Sequence, residues 1–175
     1  MTTRLYLSAS IANAALNVHL RTLLPSPRFE LILPQEFTPD VPHAALPRAI
    51  YERCIAEMER CDAGLLLLDA FGVDCASEAG WFAAKGKPLL GVAQSSTRFL
   101  QNWMVKGNLT GVVCLDPVLF AVAQRDSILR GGSVRLCEAP GDLGDHLETL
   151  LSSRIFEAAA NAEPFASTEL PHDWR

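Results

Sequence analysis

Glycine-rich nucleotide-binding motifs are missing from this sequence of 175 residues. It contains neither GxGxxG nor GxxxxGK[ST], and the turn from Ser8 to Asn13, after the first apolar segment, holds no glycine and no basic side chain. Because phosphate groups are usually held by close backbone amides and positive charge, dinucleotide and nucleoside triphosphate enzymes are disfavoured. The hydrolase motif GxSxG is absent as well.

The sequence also has few metal-binding features. Its five cysteines are scattered without a CxxC pair, and its four histidines do not cluster or pair with cysteines at metal-ligand spacing. We therefore interpret the cysteines as reduced core residues and expect neither a metal nor another cofactor.

Positive charge and long apolar runs are scarce. Fifteen Lys and Arg against 20 Asp and Glu give a net charge of -5, which provides no general attraction to nucleic acid polymers or anionic membranes. The longest apolar run, around Leu65 to Leu68, is far shorter than the roughly 20 residues of a membrane helix. The N-terminal residues lack the blocks of a secretory signal, so we expect a cytoplasmic protein.

What the sequence does contain is a regular alternation of apolar strand segments and amphipathic helices. This pattern predicts an α/β fold with a doubly wound, five-stranded parallel sheet in the flavodoxin-like or Rossmann-like order 2-1-3-4-5 and helices on both faces. We expect one domain over residues 1–157 and a C-terminal tail over residues 158–175. The predicted strands are Leu5–Leu7, Phe29–Leu33, Ala63–Leu68, Leu89–Val92 and Gly111–Leu115.

Candidate functional residues follow the ends of these strands, because ligands of such sheets bind beyond the carboxyl ends of the strands. The loop after the third strand is the most informative, since it brings three carboxylates close together and its glycines allow close approach of a ligand. We place Glu78 in the first turn of the next helix, where it could be a nucleophile or simply a capping residue. The candidate binding residues at the strand ends are Ser8, Gln35, Asp69, Gly72 and Asp74.

Several segments resemble the nucleoside 2-deoxyribosyltransferase family and its nucleotide N-glycosidase relatives over roughly residues 4 to 115. The most specific is Glu78-Ala-Gly-Trp-Phe-Ala-Ala-Lys-Gly-Lys-Pro88, which directly follows an Asp-containing loop. The opening Leu5-Tyr6-Leu-Ser8 and the later Asn102-Trp-Met104 add to the resemblance.

The resemblance implies an enzyme that exchanges the base of a 2-deoxyribonucleoside through a covalent glycosyl ester on Glu78, without a cofactor. It implies that Tyr6 holds this nucleophile and that Gln35 contacts the base. It also implies a homodimer or higher homo-oligomer, in which Asn102 and Met104 reach the sugar site of the neighbouring subunit. The substrates would be a nucleoside and a free nucleobase, as in purine or pyrimidine salvage.

Two departures from the family leave alternatives open. Cys54 stands where many members carry an aspartate that assists proton transfer to the base, and a thiol is a weak hydrogen-bonding group. The loop before Glu78 is about two residues shorter than in many members, which affects whether Asp74 reaches the 5'-hydroxyl of the sugar. The alternatives are an N-glycosidase that hydrolyses nucleoside 5'-monophosphates and a non-catalytic nucleotide-binding module of the same fold.

Overall fold

The computed structural model describes residues 2–24, 26–69, 72–129 and 133–160, with side chains up to residue 153 in the last range. Within these residues a single parallel sheet runs in the order β2-β1-β3-β4-β5-β6. The strands are β1 (Thr3–Ser8), β2 (Phe29–Ile32), β3 (Ala63–Leu67), β4 (Leu89–Ala93), β5 (Gly111–Cys114) and β6 (Val134–Leu136). The helices are α1 (Ala14–Leu23), α2 (Leu46–Arg60), α3 (Val73–Ala84), α4 (Trp103–Gly107), α5 (Pro117–Ala123) and α6 (Leu143–Ala160).

The α/β class and the order of the first five strands are confirmed, but the predicted number of strands is wrong. A sixth strand, β6, pairs with β5 in parallel, with Val134 opposite Val112. It is three residues long, too short for an apolar period to be recognised in the sequence. β6 forms because it pairs with the edge of β5, and this pairing depends on the tertiary structure rather than on the local sequence.

Helices cover both faces of the sheet. Every residue of β3 and β4 is buried, as expected for strands with a helix layer on each side. On one face Leu20 of α1 and Leu147 of α6 join the core. On the other face the core includes Met58 of α2, Phe82 of α3 and Leu119 of α5.

Helix α3 packs tightly on the centre of the sheet. Gly64 in β3 leaves room for this contact, because a Cβ atom there would lie 2.8 Å from the Phe82 ring and 2.7 Å from Leu89. The ring of Phe82 also lies beside Tyr6 of β1, with 6.1 Å between the ring centroids. At its C-terminal end α3 leads into Gly86, whose φ of 63° is a left-handed conformation that suits glycine. The position of α3 relative to β1 is thereby fixed.

The start of α3 corrects the placement of Glu78. The helix begins at Val73 with Gly72 as its N-cap, so Glu78 lies in the second turn and Asp74 in the first. The effect of the helix dipole falls off within the first turn, and it is therefore not what holds the Glu78 carboxylate.

Two expectations concern the rest of the chain. No helix within the described ranges is long and apolar enough to cross a membrane. The predicted tail lies, from residue 161 onward, outside the described residues. The boundary between domain and tail stays a prediction.

Candidate active site

The carboxylate of Glu78 is held by two hydroxyl groups from β1. Tyr6 Oη donates to Glu78 Oε1 at 2.7 Å, and Ser8 Oγ donates to Glu78 Oε2 at 2.6 Å. Each carboxylate oxygen thus has one partner and keeps further lone-pair capacity. The arrangement rules out the capping interpretation of Glu78, because its side chain bonds to the sheet rather than to the backbone of its helix.

The spacing of β1 produces this pair of contacts. Side chains two residues apart on a strand point to the same face, so Tyr6 and Ser8 both face the layer that contains α3. Both are fully buried, whereas Glu78 is partly exposed. The two hydroxyl groups therefore hold the carboxylate from its buried side, on a residue that is itself partly exposed.

Burial dominates the electrostatics of the pair. Burial raises the pKa of the Glu78 carboxyl, the hydrogen bonds from Ser8 and Tyr6 oppose this rise, and the nearby charge of Asp74 adds to it. Burial also raises the pKa of the Tyr6 hydroxyl, and the Glu78 charge raises it further. Tyr6 consequently stays protonated and acts as a hydrogen-bond donor.

Cys54 lies next to the Tyr6 hydroxyl. It is half-buried on α2, and its side chain packs against the same core as Tyr6. Burial raises the pKa of the Cys54 thiol, while a hydrogen bond with Tyr6 partly opposes the rise. Cys54 therefore places a neutral thiol beside the two hydroxyl groups that hold Glu78.

Asp69 organises the loop after β4. Its carboxylate accepts hydrogen bonds from the backbone amides of Gln94, Ser95 and Ser96 at 2.6 to 2.8 Å, and from the Ser95 hydroxyl at 3.1 Å. These contacts tie together the carboxyl ends of β3 and β4. They give Asp69 a structural role, whereas its predicted contact with substrate stays a prediction.

Gln35 follows β2, on the other side of β1 from Asp69. Its Oε1 accepts a hydrogen bond from Asn17 Nδ2 at 2.8 Å, and its Nε2 donates to the carbonyl oxygen of Ala14 at 3.2 Å. Asn17 Nδ2 also donates to the carbonyl oxygen of Ser10 at 3.2 Å. A small polar network therefore joins α1, the turn after β1 and the loop after β2.

The remaining candidate residues do not contact Glu78 through hydrogen bonds. Gly72 and Asp74 are exposed at the start of α3. Asn102 is exposed, and its Nδ2 donates to the carbonyl oxygen of Arg98 at 3.1 Å. Met104 is 81% exposed on α4. The structure therefore brings together Glu78, Tyr6 and Ser8, and leaves Asn102 and Met104 at the surface.

A metal centre has no candidate in the described part of the chain, where no three His, Cys, Asp or Glu side chains come together as a ligand set.

Comparison with known proteins identifies the family. The family model described as nucleoside 2-deoxyribosyltransferase matches residues 5–131. The chain belongs to the nucleoside 2-deoxyribosyltransferase family. The matched range contains Tyr6, Ser8, Gln35 and Glu78, so the hydroxyl-held carboxylate lies inside the part of the chain that defines the membership.

A solved structure supports the fold of this deoxyribosyltransferase-family chain. It is described as a conserved protein from Enterococcus faecalis V583, with 18% sequence identity and a TM-score of 0.50. The similarity covers 85% of this chain and 99% of that one. At this identity it concerns the fold alone. No curated protein matches the chain.

Two features of the site go beyond what the sequence predicts. Asn17 is not among the predicted candidates, because it lies inside a helix whose apolar residues explain its pattern, and its partner Gln35 is 18 residues away. Ser8 is predicted to bind substrate, whereas its hydroxyl contacts Glu78. The two-residue spacing of Tyr6 and Ser8 on a strand is the signal that could have paired them.

Proposed function

We propose that this protein is a nucleoside 2-deoxyribosyltransferase that uses Glu78 as its nucleophile. The observation that carries the proposal is the carboxylate of Glu78, held at one oxygen by Tyr6 and at the other by Ser8. Membership of the deoxyribosyltransferase family supports the nature of the substrate, a 2-deoxyribonucleoside.

The proposed reaction consists of two displacements at C1' of the sugar. Glu78 attacks C1', the bond from C1' to the base nitrogen breaks, and the departing base takes up a proton. A second base then attacks C1', loses its proton, and releases Glu78 as a free carboxylate. Two inversions through oxocarbenium-like transition states retain the configuration at C1', and neither step needs a metal or an oxidant.

Tyr6 and Ser8 have a defined task in this scheme. Their hydrogen bonds prevent the carboxylate from rotating, so that an oxygen lone pair stays directed toward the sugar. They also stabilise the ionised form against the effect of burial, which raises the pKa of Glu78. The carboxylate is thus poorly solvated, and the two hydroxyl groups favour its ionised form.

The other candidate residues complete the proposed site. Gln35 lies after the strand next to β1 and would contact the base, while Asp74, in the first turn of α3, would meet the sugar. Asn102 and Met104 are exposed on the chain and would reach the sugar site of a neighbouring subunit. The enzyme would then be a homodimer or larger homo-oligomer with shared active sites.

The test is incubation of the purified protein with 2'-deoxyinosine, with and without free adenine. The proposal expects 2'-deoxyadenosine to form only when adenine is present. Release of free deoxyribose without transfer would instead indicate a hydrolase, which assays with 2'-deoxynucleoside 5'-monophosphates would then define. Absence of turnover with all these substrates would contradict an enzymatic role.

A further inference from the structure

A buried ion pair connects α4 to the loop that follows α5. Lys106 of α4 is 4% exposed, and its Nζ donates to Asp126 Oδ2 at 2.6 Å and to the carbonyl oxygen of Leu100 at 3.0 Å. Leu100 lies in the helical turn Arg98–Gln101 that precedes α4, and Asp126 lies beyond the end of α5. One side chain therefore joins three segments of the chain.

Asp126 is itself held by the backbone of its loop. Its Oδ1 accepts hydrogen bonds from the amides of Ile128 at 2.9 Å and Leu129 at 3.2 Å, while its Oδ2 faces Lys106. Burial pushes the pKa of Asp126 upward, but the hydrogen bonds from Lys106 and from the two amides outweigh burial and lower this pKa. Asp126 therefore stays ionised opposite Lys106.

Stability alone does not account for this ion pair. Taking two opposite charges out of water is costly, and apolar side chains of similar volume are often as stable in the same place. What the pair does determine is position, because Lys106 reaches Asp126 and Leu100 only while α4 keeps its observed orientation. A helix of five residues such as α4 is too short to be stable by itself, so its place depends on contacts of this kind.

The orientation of α4 decides which side chains it exposes. Val105 and Lys106 are buried, whereas Trp103 and Met104 are 72% and 81% exposed. Asn102 directly precedes α4, is exposed, and accepts a hydrogen bond at its carbonyl oxygen from the Lys106 amide at 2.9 Å. The residue that anchors α4 in the protein interior is thus bonded to Asn102 through the backbone and lies two positions from Met104.

We propose that Lys106 and Asp126 are positioning residues for a shared active site. Their buried ion pair holds α4 in the orientation in which Asn102 and Met104 are presented to a second copy of this chain. This inference rests on the proposed function, in which these two residues reach the sugar site of the neighbouring subunit. Without the ion pair, α4 has to be ordered when the subunits associate, which weakens the assembly.

The test is the double variant Lys106→Met with Asp126→Asn, which removes both charges and nearly keeps the volume of both side chains. The new amide oxygen can still accept from the backbone of residues 128 and 129, so the fold should survive. Light scattering over a series of protein concentrations gives the dissociation constant of the assembly, which should rise about tenfold because a few side chains must then be ordered on association. Hydrogen exchange should show reduced protection in residues 98–109, with the sheet protected as in the wild type.

Arg28→Met with Asp145→Asn is the matched control. This ion pair is exposed, has its nitrogen and oxygen atoms 2.7 Å apart, and joins the residue before β2 to α6. α6 covers the face of the sheet opposite to α3. Removing these charges should leave both the dissociation constant and the exchange of residues 98–109 at their wild-type values.

Transfer activity of the Lys106 and Asp126 double variant should be low in dilute solution and recover as the protein concentration is raised, because association then restores the shared sites. A defect within one subunit would not recover. A monomeric wild type, an unchanged dissociation constant in the double variant, or an equal loss of protection across the whole sheet would each overturn the inference.

Failure of this inference can be told apart from failure of the proposed function, because the mass of the assembly is measured without any reaction at Glu78. A protein that assembles through α4 and transfers no deoxyribose would contradict the proposed function alone. A transferase whose double variant assembles like the wild type would contradict the role of Lys106 and Asp126 alone.

Discussion

The Glu78 carboxylate is kept in its charged form at a cost to folding. Burial raises its pKa, which means that the folded state binds a proton more readily than the unfolded state does. The contribution of Glu78 to stability is then greatest at acidic pH, below its unfolded pKa, and is lost as the pH rises through the folded pKa. A neutral side chain of the same shape avoids this loss.

Glu78→Gln should therefore be more stable than the wild type at pH 7, by roughly 0.5–2 kcal/mol in the free energy of unfolding. The advantage should shrink as the pH falls, because the wild-type carboxyl then becomes protonated. Urea denaturation of both proteins at several pH values measures this. Glu59→Gln, at an exposed glutamate, is the control. Equal stability of Glu78→Gln and wild type at every pH would show that burial of the charged carboxylate does not lower the free energy of unfolding.

The hydrogen bonds that Glu78 accepts from Tyr6 and Ser8 predict how the activity depends on pH. The hydrogen bond from Ser8 lowers the pKa of Glu78, so its removal in Ser8→Ala raises that pKa further. Because the reaction needs the ionised carboxylate, the acidic limb of the activity profile should move to a higher pH in Ser8→Ala. We also expect kcat to fall about tenfold or more, since a hydrogen bond to a charged group is worth about 1.5–3 kcal/mol.

The measurement is kcat/KM between pH 4 and 8 for wild type, Ser8→Ala and Ser10→Ala. Ser10 is the matched control, because its hydroxyl caps a turn at Ala12 and does not contact Glu78. An acidic limb at the same pH in Ser8→Ala and wild type would show that Ser8 does not tune the nucleophile.

At the scale of secondary structure elements, Asp69 connects β3 to the loop after β4. Asp69→Ala leaves the backbone amides of residues 94–96 without their acceptor. We expect the free energy of unfolding to fall by about 2–3 kcal/mol. Asp116→Ala, which removes a single capping hydrogen bond to the Leu119 amide, should lower the free energy of unfolding by about 1 kcal/mol. Equal losses for the two variants in chemical denaturation would contradict the anchoring role of Asp69.

The elements differ in how far the sequence determines them. The apolar runs of β3 and β4 are readable because both of their faces are buried, and the first five strands follow in the expected order. β6 escapes recognition because three residues carry no period, and it forms by pairing with β5.

The candidate site shows the same division. Residues at strand ends can be identified from the sequence because they follow apolar runs. Glu78 can be identified from the sequence motif that begins with it. The hydrogen bond between Asn17 and Gln35 depends on how α1 packs beside the loop after β2, and no local sequence pattern predicts that packing.

For the whole molecule, three large apolar side chains on α3 and α4 are exposed at the surface. Trp103 and Met104 are 72% and 81% exposed on α4, and α4 lies beside α3, where Val73 is 84% exposed. Large apolar side chains exposed together are typical of interaction surfaces. We expect a homodimer or larger homo-oligomer by light scattering, and a smaller species for Met104→Arg.

Val118→Arg, on the exposed face of α5, provides the comparison for the same type of substitution on a different helix. It should keep the wild-type mass and activity, while Met104→Arg should lose transfer activity together with assembly. A monomeric wild type with full activity would contradict shared active sites.

The proposed reaction depends on a covalent bond between Glu78 and the sugar. Incubation with a 2'-deoxy-2'-fluoroarabinonucleoside tests it, because fluorine next to C1' destabilises the oxocarbenium-like transition state and slows release of the ester. Peptide mass spectrometry should find a fluorinated pentosyl group on the peptide containing Glu78 in the wild type and none in Glu78→Gln. Sugar transfer without any adduct, or an adduct on another residue such as Asp74, would contradict the account.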